Sequence, residues 1–555
     1  MERFLLFVAL GCGIAFGQAP PPTGSLTGKV VDATTKAGIR KATVYVTLQF
    51  SAPVPGEVVR YTPPTTYSGV TDDGGMYRIA GLPPGPVGLR AEKAGHLPGT
   101  ISFRERIAII SGQETTAEEL TLVKQGIIAG RVTDGDGEPV ERANVIAIPV
   151  SRIRRPGSSS GGQAMTDDRG EFRIPRLDGG AYKLLATKPT NNFAITTAAA
   201  PGEPAMVNSP TYFPSAREQA TASVVTVASG EERSGIEIRL QQTVAVRVAG
   251  RVTGEAGTQP GVNVTLQSFD GPRSERPSTY NMGMNNWNTM AAPDGRFVFA
   301  NVIPGEYIAT ANLHRGGPDQ MLSGMTRVRI GQQDVDQLTI QIQPMARITG
   351  RAVAEGGAKL PYPQVNLGVS IAEPGFRGGG GGPVKPDGTF TIENLQRVRM
   401  KLNPIAAPRG WYLKAVSVGG QRQPALEFDL TAGDTAIEVV YSNKPGTVEV
   451  TVDGLTAESG PLAVVALPDG GTGLPPLTNL YKSVPVRAGQ NVFKIEDVPP
   501  GNYQIALGPL AVLDALGDPA IWEKLKTKAV RVKVEEGVTV PAAPRLILES
   551  DVEEK

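Results

Sequence analysis

Five aromatic residues, Tyr77, Phe172, Phe297, Phe390 and Phe493, head five copies of one short pattern spread along the 555 residues. An aliphatic residue follows each at five positions: Leu82, Leu177, Val302, Leu395 and Val498. Val87, Tyr182, Tyr307, Met400 and Tyr503 follow at ten. Glycine stands at eight in four copies (Gly85, Gly180, Gly305, Gly501), and Val398 takes its place in the other. A turn precedes the aromatic: Asp73-Gly74-Gly75, Asp168-Arg169-Gly170, Asp294-Gly295, Asp387-Gly388 and a weaker Gly489-Gln490. A fixed internal period means repeated supersecondary units, and that constrains the architecture before any other feature does.

Each repeat opens on a short strand signature, Gly28-Lys29-Val30, Gly130-Arg131-Val132, Gly250-Arg251-Val252 or Gly350-Arg351-Ala352. The fifth opens as Thr447-Val448-Glu449-Val450-Thr451-Val452, without the glycine. Period-two patterning continues in a second strand, as in Ala42-Thr43-Val44-Tyr45-Val46, and in a closing one, as in Ile236-Glu237-Ile238-Arg239-Leu240. Alternation with β-branched residues means strands with one buried face. The Pro84-Gly85, Pro304-Gly305 and Pro500-Gly501 pairs read as return turns in which glycine supplies a positive φ. The expected fold is all-β: a tandem array of about five Ig-like Greek-key sandwiches of about 100 residues each. The expected domains are 24–124, 125–242, 243–344, 345–444 and 445–549, with almost no linker between them. One short helix is expected near 518–527, capped by Asp518, with Ile521, Trp522 and Leu525 on its apolar face over the end of the last sandwich.

Sequence variation concentrates between the second strand and the aromatic motif, at 51–68, 151–165, 268–292, 372–386 and 469–482. Ser158 to Gly162 and Gly378 to Gly382 are low-complexity runs, expected to be mobile loop. The second unit carries a further insertion from Pro189 to Ala222.

Lys plus Arg number 55 against 54 Asp plus Glu, so no basic surplus exists to displace counterions, and nucleic acid is not an expected partner. The apolar run from Phe4 to Phe16, followed by Gly17-Gln18-Ala19-Pro20, reads as a secretory signal cleaved near Gly17 (residues 1–17), with a retained anchor as the alternative. Export to the periplasm, outer surface or medium is expected, with no membrane span in the mature chain. The single cysteine, Cys12, lies inside that segment and is the residue a lipoprotein reading would acylate. Without it the mature chain has no disulfides, and its cores alone must hold it.

The opening Gly-basic-Val strand, the Asp-x-Gly-x-aromatic turn and the Leu-Pro-Pro-Gly return of the first units resemble carboxypeptidase regulatory-like domains. Those are transthyretin-like sandwiches related to carbohydrate-binding-like folds and to collagen-adhesin B-type modules. The match weakens from 24–124 and 125–242 through the third and fourth units to 445–549. Gly410-Trp411-Tyr412-Leu413-Lys414, Leu430-Thr431-Ala432-Gly433-Asp434 and Gly517-Asp518-Pro519 are similar to large exported proteins of acidobacterial type. The resemblance implies a fold and an exported multidomain protein; it does not imply peptidase activity. Some collagen-adhesin modules carry a Lys–Asn isopeptide link, but Lys29 corresponds to Arg131, Arg251 and Arg351, so none is expected.

No catalytic residue, metal site or cofactor is expected. The two histidines, His96 and His314, lie in different units without a glutamate at ligand spacing, and read as surface or turn residues. Asp72-Asp73 and Asp167-Asp168 lack the alternating oxygen ligands of a calcium loop and read as hairpin turns. The candidate contact site is the loop Tyr280 to Asn288, with Tyr280, Asn285, Asn286 and Trp287 as residues for a glycan. Aromatic faces stack on sugar rings and Asn amides bond hydroxyls. The same loop also reads as one tucked onto its own sandwich with Trp287 as a buried plug. The function expected is a non-catalytic exported scaffold or adhesion-type protein at the cell envelope, with a glycan or an envelope protein as partner; the alternative is a carbohydrate-binding protein using chiefly the 268–292 loop.

Overall fold

In the computed structural model, the structure describes residues 23–48, 65–101, 107–150, 161–188, 205–254, 261–268, 286–314, 321–362, 365–373, 376, 378–423, 426–452, 462–469, 482–486, 490–509, 512–513, 516 and 519–551. The described residues are nearly all β, and their ten sheets pair into five successive sandwiches. The first sandwich, with 176–179 and 228–231, forms one compact unit; the remainder of the second to fifth forms another.

One pairing rule recurs in all five. The opening strand lies between the aromatic strand and the closing strand of its own unit. Gly24–Asp32 runs antiparallel to Met76–Leu82 and parallel to Leu120–Lys124. Gln242–Thr253, Ala346–Ala354 and Gly446–Thr451 repeat the arrangement with Arg296–Val302 and Val335–Gln341, Thr389–Leu395 and Thr435–Ser442, and Val492–Val498 and Thr539–Ala542. Gly126–Thr133 does so between Glu171–Leu177 and Glu232–Arg239. The first and last strands of each unit are thus hydrogen-bonded, which closes the unit on itself.

The glycine of the opening signature now has a reason. Gly28, Gly250 and Gly350 stand opposite Tyr77, Phe297 and Phe390. A Cβ on Gly350 would lie 2.3 Å from the Phe390 ring and 2.5 Å from the Ile437 carbonyl of the closing strand. On Gly250 it would lie 2.6 Å from the Phe297 ring and 2.0 Å from the Leu338 carbonyl. The aromatic ring folds back over its own sheet, and glycine leaves it room. The fifth unit places Val450 opposite Phe493 instead.

The preceding turn is equally regular. Gly75, Gly170, Gly295 and Gly388 adopt φ of 80°, 74°, 83° and 86°. Their carbonyls accept the N–H groups of Val30, Val132, Val252 and Ala352, each at 2.8 Å. Asp72 and Asp167 tie the turn by accepting two backbone N–H groups each, at 2.8 to 3.0 Å. Thr71 and Thr166, both buried, bridge back to the second strand: each hydroxyl donates to a carbonyl (Ile39, Val140) at 2.6 Å and accepts an N–H (Ala42, Ala143) at 2.8 Å.

The return glycines correct the sequence reading. Only Gly85 has a positive φ; Gly180, Gly305 and Gly501 do not. The left-handed position lies four residues after the aromatic, at Gly81, Arg176, Asn301, Asn394 and Asp497, with φ between 56° and 73°. Register shifts beside Gly81, Asn301, Asn394 and Asp497 mark it as a bulge. An odd offset of five would point Leu82 or Val302 away from the core in a regular strand. The bulge resets the phase, and all five aliphatics are fully buried.

The second sheet of each unit corrects a further expectation. The variable stretches end in strands: Thr66–Val70, Gly162–Met165, Asn286–Met290, Gly379–Pro383 and Lys482–Pro485 each pair with the second strand. Gly378 to Gly382, expected as mobile loop, therefore includes an edge strand. Backbone groups alone make a ladder, so a run without side chains still pairs. A Cβ on Gly379 would lie 2.1 Å from the Val369 carbonyl, which explains that glycine by close packing within the sandwich.

In the fifth sandwich the strand Leu462–Pro468 is buried on both faces. Val464 and Ala466 face the inner core. Ala463 and Val465 face an outer cluster in which helix Pro519–Leu525 supplies Ile521, Trp522 and Leu525. The helix covers the outer face of the second sheet rather than the sandwich end; Asp518 lies outside the described residues.

The Tyr77 hydroxyl is buried and has no hydrogen-bond partner among the described residues, and burial pushes its pKa up to about 12. Tyr77→Phe is expected to leave stability unchanged or raise it by up to about 1 kcal/mol, since no bond is lost and a desolvated hydroxyl is removed. Gly350→Ala is expected to cost about 1–3 kcal/mol by overpacking against Phe390. Arg176→Asn is expected to gain roughly 0.5–1 kcal/mol by easing a left-handed residue. Urea unfolding of each variant beside wild type measures all three.

Candidate functional site

The structure turns Trp287 inward. Asn286–Met290 alternates across its sheet, with Trp287 opposite Leu266 and only 2% exposed. Its ring meets Tyr307 edge-on at 5.6 Å and 76°, in one cluster with Phe297 and Phe299. A ring whose faces are covered has none to offer a sugar. Asn288, on the other face, accepts a hydrogen bond from the Thr265 hydroxyl at 2.7 Å. Asn286 begins the strand, its backbone opposite Gln267. Tyr280, Asn285 and the Asn286 side chain lie outside the described residues.

His96 is mostly covered rather than a surface residue. Its Nε2 lies 3.8 Å from Asp32 Oδ2, and its Nδ1 is 3.3 Å from the Ala94 carbonyl. Asp32 ends the opening strand of the first sandwich, and its Oδ1 accepts the N–H groups of Thr34 and Thr35, each at 2.9 Å. The Thr35 N–H, outweighing burial, holds the Asp32 carboxyl below its usual 3.8. The pair therefore joins the end of the opening strand to the turn before Leu97. His314 is exposed at the end of Gly305–His314. Among the described residues, no three His, Cys, Asp or Glu side chains gather as metal ligands.

Successive sandwiches of the second compact unit meet at three joints with different contacts. At the second-to-third joint the insertion of the second unit is the brace. Its strand Ala205–Asn208 pairs with Gln242 to Ala245, the start of the third opening strand. Ser209 N–H and hydroxyl both donate to the Gln241 carbonyl, and Thr211 Oγ1 accepts the Gln241 N–H at 2.9 Å. Tyr212 packs on Ile146, Ile148 and Leu185, anchoring the insertion to the second sandwich.

The third-to-fourth joint is apolar and cationic. Met325 packs on the fourth core, the Arg327 guanidinium lies 5.7 Å from the Phe376 ring centroid, and Arg397 Nε donates to the Pro344 carbonyl at 2.8 Å.

The fourth-to-fifth joint is charged, and Gly410 to Lys414 makes it. Arg409 pairs with Glu496 at 3.0 Å, and Gly410 N–H donates to Asp497 Oδ1 at 3.0 Å. Asp497 is the left-handed bulge residue of the fifth unit. Lys414 is itself the extra residue of a bulge between Leu413 and Ala415. Its ammonium donates at 2.6 Å both to Glu355 of its own sandwich and to Glu536 of the next. The Tyr412 hydroxyl donates to the same Glu536 oxygen. The two carboxylates hold the Lys414 pKa above its usual value, Glu355 first and Glu536 second. Lys414 in turn lowers Glu355 and Glu536, aided at Glu536 by Tyr412. Burial first, then Glu536, pushes Tyr412 up to about 12.

Sequence reasoning singled out this segment as a resemblance only and missed its partners, which lie 59 and 122 residues from Lys414. Asp434 of the other flagged motif accepts the Arg347 N–H at 2.9 Å, tying the fourth closing turn to its opening strand; Asp334 does the same for Arg247 at 2.8 Å.

With five sandwiches among the described residues, each with its opening and closing strands paired, the fold defines a tandem β-sandwich protein. The model of the carboxypeptidase regulatory-like domain matches residues 25–123 and 127–208, so the first two sandwiches carry domains of that family. No curated protein matches the chain. Among solved structures, a streptococcal ancillary pilin is 11% identical, covering 58% of this chain and 99% of the pilin at a TM-score of 0.21. A minor pilin of Streptococcus agalactiae is 14% identical, covering 40% of this chain and 96% of its own at 0.21. The TIE protein of Bacillus anthracis is 11% identical, covering 77% and 76% at 0.15. Similarity at these scores carries no functional argument. No helix of the described residues is long and apolar enough to cross a membrane.

Trp287→Ala is expected to cost about 3–5 kcal/mol in the third sandwich, as removal of a fully packed aromatic does. Loss of the third sandwich's unfolding transition in calorimetry, with the others retained, is the readout. For Asp32 the lowered pKa sets the sign: its contribution is present above about 3.8, its ordinary value, and is lost as pH falls through the folded value. Asp32→Asn is expected to weaken the first sandwich at neutral pH and to flatten that acid dependence.

Proposed function

We propose that this chain is a non-catalytic exported scaffold. Its sandwiches, divided at 24–124, 125–242, 243–344, 345–444 and 445–549, act as spacers that hold unequal loops at the cell envelope for an envelope protein or glycan. The observation that carries the reading is the bracing of three successive joints in the second unit, by strand pairing, by apolar packing and by a charge clasp. A chain that serves only to link needs none of these; one that positions loops at fixed spacing needs all of them. The apolar run from Phe4 to Phe16 supports export.

Cell fractionation with N-terminal sequencing tests it. Recovery outside the cytoplasm with a mature start near Gln18 is expected; cytoplasmic protein retaining Met1 would sink the reading. A broad hydrolase screen is expected to show no turnover that a single Asp or Glu substitution abolishes.

The glycan reading now rests on Tyr280, Asn285 and Asn286, because the core occupies Trp287. A glycan array with wild type and Tyr280→Ala discriminates, whereas Trp287→Ala would confuse lost binding with lost folding. Binding that Tyr280→Ala removes favours the glycan reading; no binding by either protein leaves the spacer reading alone.

A further inference from the structure

The three joints of the second unit are held by different physics. Strand pairing at the second-to-third joint uses backbone amides, which do not titrate between acid and neutral pH. Packing of Met325 and the Arg327–Phe376 contact at the third-to-fourth joint involve no carboxylate. Side-chain contacts across the fourth-to-fifth joint centre on carboxylates: Glu536 with Lys414 and Tyr412, Glu496 with Arg409, and Asp497 with the Gly410 N–H. The hydrophobic clusters of the fourth and fifth sandwiches share no residue. Among the described residues, Gly537 N–H also donates to the Lys444 carbonyl at 3.1 Å.

We propose that the fourth-to-fifth joint is an acid-released hinge, closed by the Lys414 clasp at neutral pH and opened by protonation of Glu536 and its neighbours, while the other two joints stay closed. Around Glu536 stand Lys414 and Tyr412 on one fourth-sandwich strand, Glu355 on the turn after the opening strand, and Lys444 on the linker, while Ser442 at the end of the closing strand bonds Glu355 and Tyr412. From the fifth sandwich, the adjacent Glu535 is occupied by Lys533 at 2.9 Å. The sign follows from the chemistry. Both carboxylates lie below their usual 4.5 when clasped, so the clasp is intact above that value and is lost as pH falls through the folded values. Lys414 stays charged throughout, and once its acceptors are neutral the ammonium at the tip of its partly covered side chain is left with neutral partners. Opening the clasp returns it to water. The hinge concerns this joint alone and holds whether or not the spacer reading does.

Distance measurement between paired spin labels tests it on the full chain, in a Cys12→Ser background. One pair, Glu438→Cys with Asn502→Cys, spans the hinge; a control pair, Glu237→Cys with Arg329→Cys, spans the second-to-third joint. At neutral pH both pairs are expected to give narrow distributions. On titration to about pH 3 the hinge pair is expected to broaden before the control pair. Glu536→Gln and Lys414→Met are each expected to broaden the hinge pair already at neutral pH, with the control pair still narrow to report intact folding. A hinge pair that stays narrow in both variants overturns the proposal. So does broadening of both pairs together on acidification, which would mean general unfolding.

Discussion

An aromatic ring laid over a glycine of the neighbouring strand is the contact on which the first, third and fourth sandwiches depend. With the ring of Phe390 or Phe297 folded onto its own sheet, the opening strand can approach both the aromatic strand and the closing strand without a side chain between them. That glycine would weaken an ordinary strand, because it buries nothing and loses much entropy. Here the ring covers the backbone it leaves bare. The left-handed bulge then completes the turn of the core: without it Leu395 and Val302 would face solvent, and with it they close the layer beneath the ring. Three residues of the repeat therefore serve one arrangement, and their spacing is fixed by it.

This explains which parts of the fold were legible. Period-two runs and paired turn residues identify strands and their number, and a buried face is a chemical pattern that survives in any sequence. The offset of five between Phe297 and Val302 was equally visible, and an odd offset between two core residues of one strand already demands a bulge. The return glycines point the other way, because glycine in a turn is the commoner sign of positive φ. Edge strands such as Gly379–Pro383 were hidden for another reason: they pair through the backbone, so composition says little about them. Parallel pairing of the first and last strands leaves no local mark at all.

The candidate site was legible in part. Trp287 lies in the stretch picked out as distinctive, and the structure gives it the role of plug. An aromatic amid asparagines looks exposed when read as composition and buried when read at period two, since Trp287 and Thr289 fall on one face and Asn288 on the other. The Lys414 clasp was out of reach of any local reading. Its carboxylates come from the fourth opening turn and the fifth closing turn, and only the stacking of two complete sandwiches brings them together.

The gradation among the joints bears on what a string of such domains can do. Covalent tethers alone would leave each sandwich free to reorient, and loops on neighbouring units would hold no fixed spacing. Backbone pairing removes that freedom at any pH, at the cost of an insertion such as 189–222 and a partner strand extended to receive it. Apolar packing removes it wherever water is the solvent. Ion pairs remove it conditionally, because a half-exposed pair gains little over hydration unless several groups share one geometry. Lys414 meets that requirement, with two carboxylates and a tyrosine hydroxyl organised around it on a bulge that fixes its direction. Opening of the conditional joint would free the helix-covered fifth sandwich from the fourth and leave the spacing of the second, third and fourth unchanged. Stiffness and release are thus assigned to different joints by the chemistry of their contacts, while all five cores are built alike.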